Sequence, residues 1–279
     1  MTEKWNEIYT DDEIKKIQAI ELESLKVFSE LCKKLKIDFF LYGGSMLGAV
    51  KYSGFVPWDD DLDIALLRDD YEKLLCLDDD HIPDGYELQH PRNNKLTPFP
   101  YIKFRRTDTS LVEYGIHKIK MNHGVYFDVY PLDKLPENND ELIRQYKKFS
   151  FVSRLFYYRQ VKTLSRPIEN SKDFFLSIIR YTMSFTLKCI PHSFISSYID
   201  KLMTRNNEIQ SKRIGNFFHP TPFNYFDEIY PAKEVLFEGV KLKIPHGFEG
   251  NLLQRYGDIT KLPPESERYG HKAYVIKLK

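Results

Sequence analysis

The chain has 279 residues and a mass of 33.2 kDa, enough for one large domain or two ordinary ones, and too large to depend on disulfide or metal staples. Hydrophobic residues at 42% and charged residues at 29% are ordinary globular usage, which excludes wholesale disorder. Forty-one Lys and Arg against 40 Asp and Glu leave a formal charge of +1, so no global field recruits nucleic acid or an anionic membrane, and any polyanion site must be local.

The first twelve residues are polar and acidic rather than basic and then apolar, so no signal peptide is read there. Cys32, Cys76 and Cys189 lie far apart, form no C-x-x-C pair and offer no zinc spacing. Both features predict a cytoplasmic protein. Over residues 12–36 the apolar positions Ile14, Ile17, Leu22, Leu25, Phe28, Leu31 and Leu35 recur at helical spacing. A strand is expected at 38–42, then a glycine turn at Gly43, Gly44 and Gly48 running into a short helix. A second strand follows at 62–67 and a helix at 68–77, with further strands at 86–89, 101–106 and 125–130. Between 139 and 210 the pattern predicts three helices punctuated by Pro167 and Pro191. A hairpin over 234–244, turning at Glu238-Gly239, and a helix over 247–256 complete the reading. The expected fold is α/β (α+β): a mixed-sheet catalytic core over 1–138, a helical insertion over 139–212, and a C-terminal segment, 213–279, that completes the catalytic domain. The most apolar stretch, 174–190, is interrupted by Arg180 and Lys188 and falls short of a membrane span. It is expected to pack within the helical lobe, with a flat lie on a membrane surface as the alternative.

Chemistry concentrates at three places. The turn Gly43-Gly44-Ser45 between a strand and a helix exposes backbone N–H groups to a phosphate, and the Ser45 hydroxyl can add a contact. Asp61 and Asp63 stand at alternate positions at the start of a strand, so both carboxylates share a face and can share a divalent cation. Asp128 sits alone in the apolar run 125–130 and is costly to bury unless paired, hydrogen-bonded or metal-bound. The plainer readings are a tight corner beside a solvated acidic turn, and a core carboxylate bonded to backbone. A P-loop is excluded by Ala49-Val50 after Gly48, a nucleophile elbow by Leu47, and an EF-hand by Ile64 and Asp70. The eight histidines show no paired spacing for a metal.

These segments resemble the LicD family, which is related to fukutin-type transferases. The resemblance rests on Gly43-Gly44-Ser45-Met46-Leu47-Gly48-Ala49-Val50-Lys51, Gly54-Phe55-Val56-Pro57-Trp58-Asp59-Asp60-Asp61-Leu62-Asp63-Ile64 and Arg68-Asp69-Asp70-Tyr71. It continues through Lys103-Phe104-Arg105 with Thr109 and Glu113, Phe127-Asp128-Val129-Tyr130-Pro131-Leu132-Asp133, and Tyr256-Gly257-Asp258 with Pro263-Pro264, in the family's order. The helical middle carries none of these motifs.

The resemblance implies a nucleotidyltransferase fold in which Asp61, Asp63 and Asp128 are the catalytic carboxylates and the ligands of Mg²⁺, or Mn²⁺, with Asp59 just outside that shell. It implies phosphate or substrate contacts at Gly43, Gly44 and Ser45, at Lys51 where the family often has arginine, and at His271 after the Pro-Pro motif. Lys103 and Arg105, on one face of the predicted strand 101–106, are candidates for neutralising the leaving nucleotide, against a surface basic pair on an edge strand. Asp128 is the candidate general base. The implied reaction moves an alcohol phosphate, phosphocholine first, from a CDP-linked donor to a hydroxyl of a glycan or lipid-linked glycan, in lipopolysaccharide or teichoic-acid synthesis, and releases CMP. CDP-ribitol or CDP-glycerol as donor, a strict nucleotidyltransferase releasing pyrophosphate, and an inactive scaffold are the alternatives. The scaffold is disfavoured because every predicted carboxylate is present. No nucleic-acid partner is expected; peripheral contact with the inner membrane face is the alternative to packing of 174–190 within the lobe.

Overall fold

The structure, a computed structural model, describes residues 2–3, 9–218, 224–268 and 275–278. After the short strand β1 (Thr2–Glu3), helix α1 (Asp11–Leu35) starts at a capping box: Thr10 Oγ1 accepts the Glu13 N–H, and the Glu13 carboxylate accepts the Thr10 N–H. Three acidic residues in its first turn and two lysines in its last oppose the helix dipole. The chain continues as β2 (Phe40–Leu41), α2 (Gly43–Tyr52), β3 (Asp63–Leu67), α3 (Arg68–Leu75), β4 (Tyr86–Gln89), β5 (Ile102–Arg106), β6 (Ser110–Val112) and β7 (Tyr126–Lys134). Three helices follow, α4 (Asn139–Gln160), α5 (Ser171–Leu187) and α6 (His192–Thr204). The remainder comprises β8 (Arg213–Gly215), β9 (Asn224–Tyr225), the hairpin β10 (Lys233–Phe237) and β11 (Val240–Ile244), α7 (Phe248–Tyr256) and β12 (Val275–Lys277).

The main sheet is mixed. Its order is β2, β3, β7, β5, β4, with β8 on β7 and β9 on β8. β3 and β7 run parallel, and every other pairing in it is antiparallel. Side chains alternate between the faces of each strand. Ile64, Leu66, Ile102, Phe104, Phe127 and Val129 therefore share one face and form the largest core with Leu25, Phe28 and Cys32 of α1. The Phe28 ring meets Phe104 and Phe127 edge-on at 5.2 and 5.3 Å. The intervening residues, Asp63, Asp128, Lys103 and Arg105, are left for the opposite face.

The helical lobe has a second core, in which Leu142, Phe149 and Phe156 of α4 meet Ile195, Ile199 and Met203 of α6, together with Leu135 and Phe217. Arg68 fastens the lobe to the sheet: Nε donates to Asp133 Oδ1 of β7 at 2.7 Å, and Nη1 to Asp200 Oδ1 of α6 at 3.1 Å. The expectation that 174–190 packs inside this lobe is not met. Only Asp173 and Ser184 of α5 are buried, because the helix turns its polar stripe toward α4. Arg180 stacks on Tyr158 of α4, with its guanidinium carbon 4.1 Å from the ring centroid.

Candidate active site

The site is assembled by register. In the parallel pair Asp63 lies opposite Asp128, and in the antiparallel pair Asp128 lies opposite Lys103, whose other neighbour is Gln89 of β4. Residues aligned across neighbouring strands point to the same face. A row of carboxylate, carboxylate and ammonium thus crosses the centre of the sheet. Lys103 Nζ donates to Asp128 Oδ1 at 2.6 Å, and the Tyr130 hydroxyl donates to Oδ2 at 3.0 Å. Lys103 is buried, and its ammonium lies 3.5 Å from the Tyr126 ring centroid and 4.4 Å from that of Phe99, a cation–π arrangement that replaces lost hydration. Burial still draws its pKa below the ordinary lysine value, with Asp128 opposing the shift and Arg105 adding to it.

For Asp63 the balance differs. Desolvation, then the negative charge of Asp128 and, more weakly, of Asp59, push its pKa up to about 7, against the pull of Arg255 and Lys103. Its backbone N–H donates to Ser45 Oγ at 2.8 Å, and its carbonyl accepts the Tyr42 N–H at 3.0 Å, so the glycine turn and β3 are locked together. Ser45, expected as a phosphate contact, therefore already spends its oxygen as an acceptor inside the fold. Gly43 sits at φ +55°, and a Cβ there would come within 2.6 Å of Asp63 Oδ2. A Cβ on Gly44 would meet Asp59 Oδ2 at 2.7 Å. The two glycines are needed because Asp63 and Asp59 crowd the N-terminus of α2, which has no side-chain cap.

Asp61 is half-buried, and its charge is felt at Glu21 and Tyr9 as well as at Tyr126. Arg105 is fully enclosed: Nε donates to Gln89 Oε1 at 3.0 Å and Nη1 to the Gly124 carbonyl at 2.9 Å, while its guanidinium stacks on Tyr126. It is not a surface basic residue, and its Nη2 finds no partner among the described residues. Lys51 donates to the carbonyls of Ile259 and Lys261 at 2.5 and 3.2 Å. It braces one wall of a cavity of about 380 Å³ lined by Gly44, Tyr52, Trp58, Asp59 and Tyr256. His271 lies outside the described residues.

One functional candidate was missed. Arg255, in the last turn of α7, has its guanidinium beside Gly43, where a Cβ would lie 3.3 Å from Nη1, and its charge lowers the pKa of both Asp63 and Tyr42. A basic residue in a helix's last turn reads as a dipole partner, and only the tertiary fold carries it to Asp63.

The donor set suits a hard divalent cation, because carboxylate oxygens are its preferred ligands and such an ion would offset the repulsion that raises Asp63. As placed, no three His, Cys, Asp or Glu side chains among the described residues stand close enough to enclose a metal; Lys103 and Tyr130 hold both oxygens of Asp128.

The site thus sets a glycine turn leading into a helix beside acidic residues in register on adjoining strands of a mixed sheet. Residues 36–157 match the LicD/FKTN/FKRP nucleotidyltransferase domain, so over that stretch the chain is similar to the LicD family. Over 277 residues, 93% of this chain and 97% of the relative, it is 24% identical to the lipopolysaccharide cholinephosphotransferase LicD of Haemophilus influenzae. It is also 28% identical over 152 residues to an uncharacterised protein of Rickettsia prowazekii, covering 52% of this chain and 53% of that one. A Rickettsia typhi counterpart is 28% identical over 144 residues, 50% of this chain and 44% of its own. Among the described residues no helix is long and apolar enough to cross a membrane.

Proposed function

We propose that the chain transfers phosphocholine from a CDP-linked donor to a hydroxyl of a lipopolysaccharide-type or teichoic-acid glycan precursor and releases CMP. The observation that carries this reading is the likeness along nearly the whole chain to a lipopolysaccharide cholinephosphotransferase. The acceptor oxygen forms a bond to the phosphorus that bears choline, and the anhydride bond to CMP breaks. Asp61, Asp63 and Asp128 are the residues that would hold Mg²⁺ or Mn²⁺ once Lys103 has left Asp128, and the bound ion would supply charge neutralisation at the diphosphate. Lys103 and Arg255 flank the carboxylate pair as the protein's own positive charges and are assigned to the donor phosphates. Asp128 accepts the proton of the acceptor hydroxyl once donor phosphate draws Lys103 from it. The aromatic-walled cavity beside Gly44 and Asp59 is assigned to the donor, with Trp58 and Tyr52 as its apolar surfaces.

The test is incubation of the whole chain with Mg²⁺, a de-cholinated lipopolysaccharide acceptor and either CDP-choline or CTP, followed by separation of the nucleotides. Acceptor-dependent CMP from CDP-choline is expected. Pyrophosphate and a cytidylylated product from CTP would overturn the reading in favour of strict nucleotidyl transfer. Turnover only with CDP-ribitol or CDP-glycerol would overturn the choline assignment.

A further inference from the structure

Helix α5 is built inside out. Asp173, Ser177, Arg180 and Ser184 recur every three or four residues and form its inner stripe: Ser184 Oγ donates to the Arg159 carbonyl of α4 at 3.0 Å, and Asp173 is buried in an ion pair with Arg166 at 2.7 Å. The outer face is apolar. Phe174, Phe175, Ile179, Tyr181 and Phe185 are between 54% and 69% exposed. A surface helix in water normally does the reverse, and a contiguous apolar face of this kind marks a contact surface.

The charge around it narrows the partner. Between residues 142 and 199 the sequence carries ten Lys and Arg against two acidic residues, Glu169 and Asp173, in a chain whose formal charge is +1. Of those two acids, Asp173 is already consumed internally by Arg166. At the C-terminal end of α5, Lys188 lies beside Lys162 and Arg159, close enough that desolvation and these like charges pull its pKa down. Neither Lys162 nor Lys188 has an acidic partner among the described residues. An apolar face along a helix of 17 residues, about 25 Å long, framed by unneutralised cations, matches an anionic lipid surface in both respects. The helix is not long and apolar enough to cross a membrane, so its fit is to the plane of the interface.

We propose that α5 docks flat on a bilayer containing anionic lipid, with Phe175, Ile179 and Phe185 entering the headgroup boundary and the surrounding Lys and Arg meeting lipid phosphates. This does not rest on the chemistry assigned to the carboxylates. The test is co-sedimentation of the full chain with vesicles of phosphatidylcholine alone or mixed with phosphatidylglycerol. Binding to the mixed vesicles, weakened by salt, is expected. The triple variant Phe175→Ser, Ile179→Ser, Phe185→Ser should bind about tenfold more weakly with an unchanged thermal melt, because these side chains stand outside the core. Lys162→Glu with Lys188→Glu should lose the preference for phosphatidylglycerol. No binding to either vesicle, or undiminished binding by the triple variant, overturns the proposal. So does a wild-type dimer in sedimentation equilibrium that becomes monomeric in the triple variant, which would assign the face to a second copy of the chain.

Discussion

Replacing Lys103 by Met keeps the length and most of the volume of the side chain, and its apolar stem can still lie against Tyr126 and Phe99. What is lost is the ammonium at 2.6 Å from Asp128 Oδ1, in a pair whose side chains are 3% and 15% exposed. Removing one partner of a buried pair leaves the other charge uncompensated at about 3–5 kcal/mol. The residual exposure of Asp128 and the Tyr130 hydroxyl bond point to the lower end, about 3 kcal/mol. For a chain of this size that corresponds to a fall in Tm of roughly 6–12 °C. A second variant, Lys103→Met with Asp128→Asn, removes the stranded charge and should recover more than half of the loss, since the two sites are directly coupled. Circular dichroism melts of wild type, both single variants and the double variant complete the cycle. A Lys103→Met protein that melts with wild type, or a double variant no more stable than Lys103→Met, would refute the reasoning.

Because Asp63 is raised to about 7 in the fold while the unfolded chain titrates near the ordinary value, the native state binds the extra proton between about pH 4 and pH 7. Its contribution is therefore full below about pH 4 and is lost as pH rises through 7. In EDTA the stability of Asp63→Asn relative to wild type should climb over that window by up to about 4 kcal/mol and then level off; a difference independent of pH would refute it. Arg255→Gln should lower kcat/KM about a hundredfold with little change in Tm, and full activity in that variant would remove Arg255 from the site. In Gly48→Ala the new Cβ would lie 2.4 Å from the Gly54 carbonyl oxygen, a backbone atom, so urea midpoints should show a loss of about 1–3 kcal/mol. An unchanged midpoint would mean the α2 corner yields more easily than its geometry implies.

Much of the fold was legible because its elements carry clear periodicity. The strand 86–89 and the hairpin turning at Glu238-Gly239 follow the expected bounds closely. The strand expected over 125–130 runs on to Lys134, through Pro131, which normally stops a strand. Pro131 is tolerated because it falls between the end of β5 pairing at Val129 and the start of β8 pairing at Asp133. The three-residue strands β6, β8 and β12 are too short for any period to show. The adjacency of Asp63 and Asp128 was recoverable from motif order, but Lys103 as the direct partner of Asp128 depends on strand register, which local sequence does not encode. For α5 the period was visible, but which stripe faces inward depends on what α4 offers it.

Lys51 reaches carbonyls of residues made some two hundred positions later, Ile259 and Lys261, and Arg255 joins Asp63 from a similar distance along the chain. During synthesis on the ribosome, the carboxylate-bearing strands therefore emerge long before the residues that flank and wall them. A nascent chain released early would display acidic groups without Arg255 and without one side of the cavity beside Gly44 and Asp59. On the proposed function, an incomplete product would lack the residues that flank and wall the site.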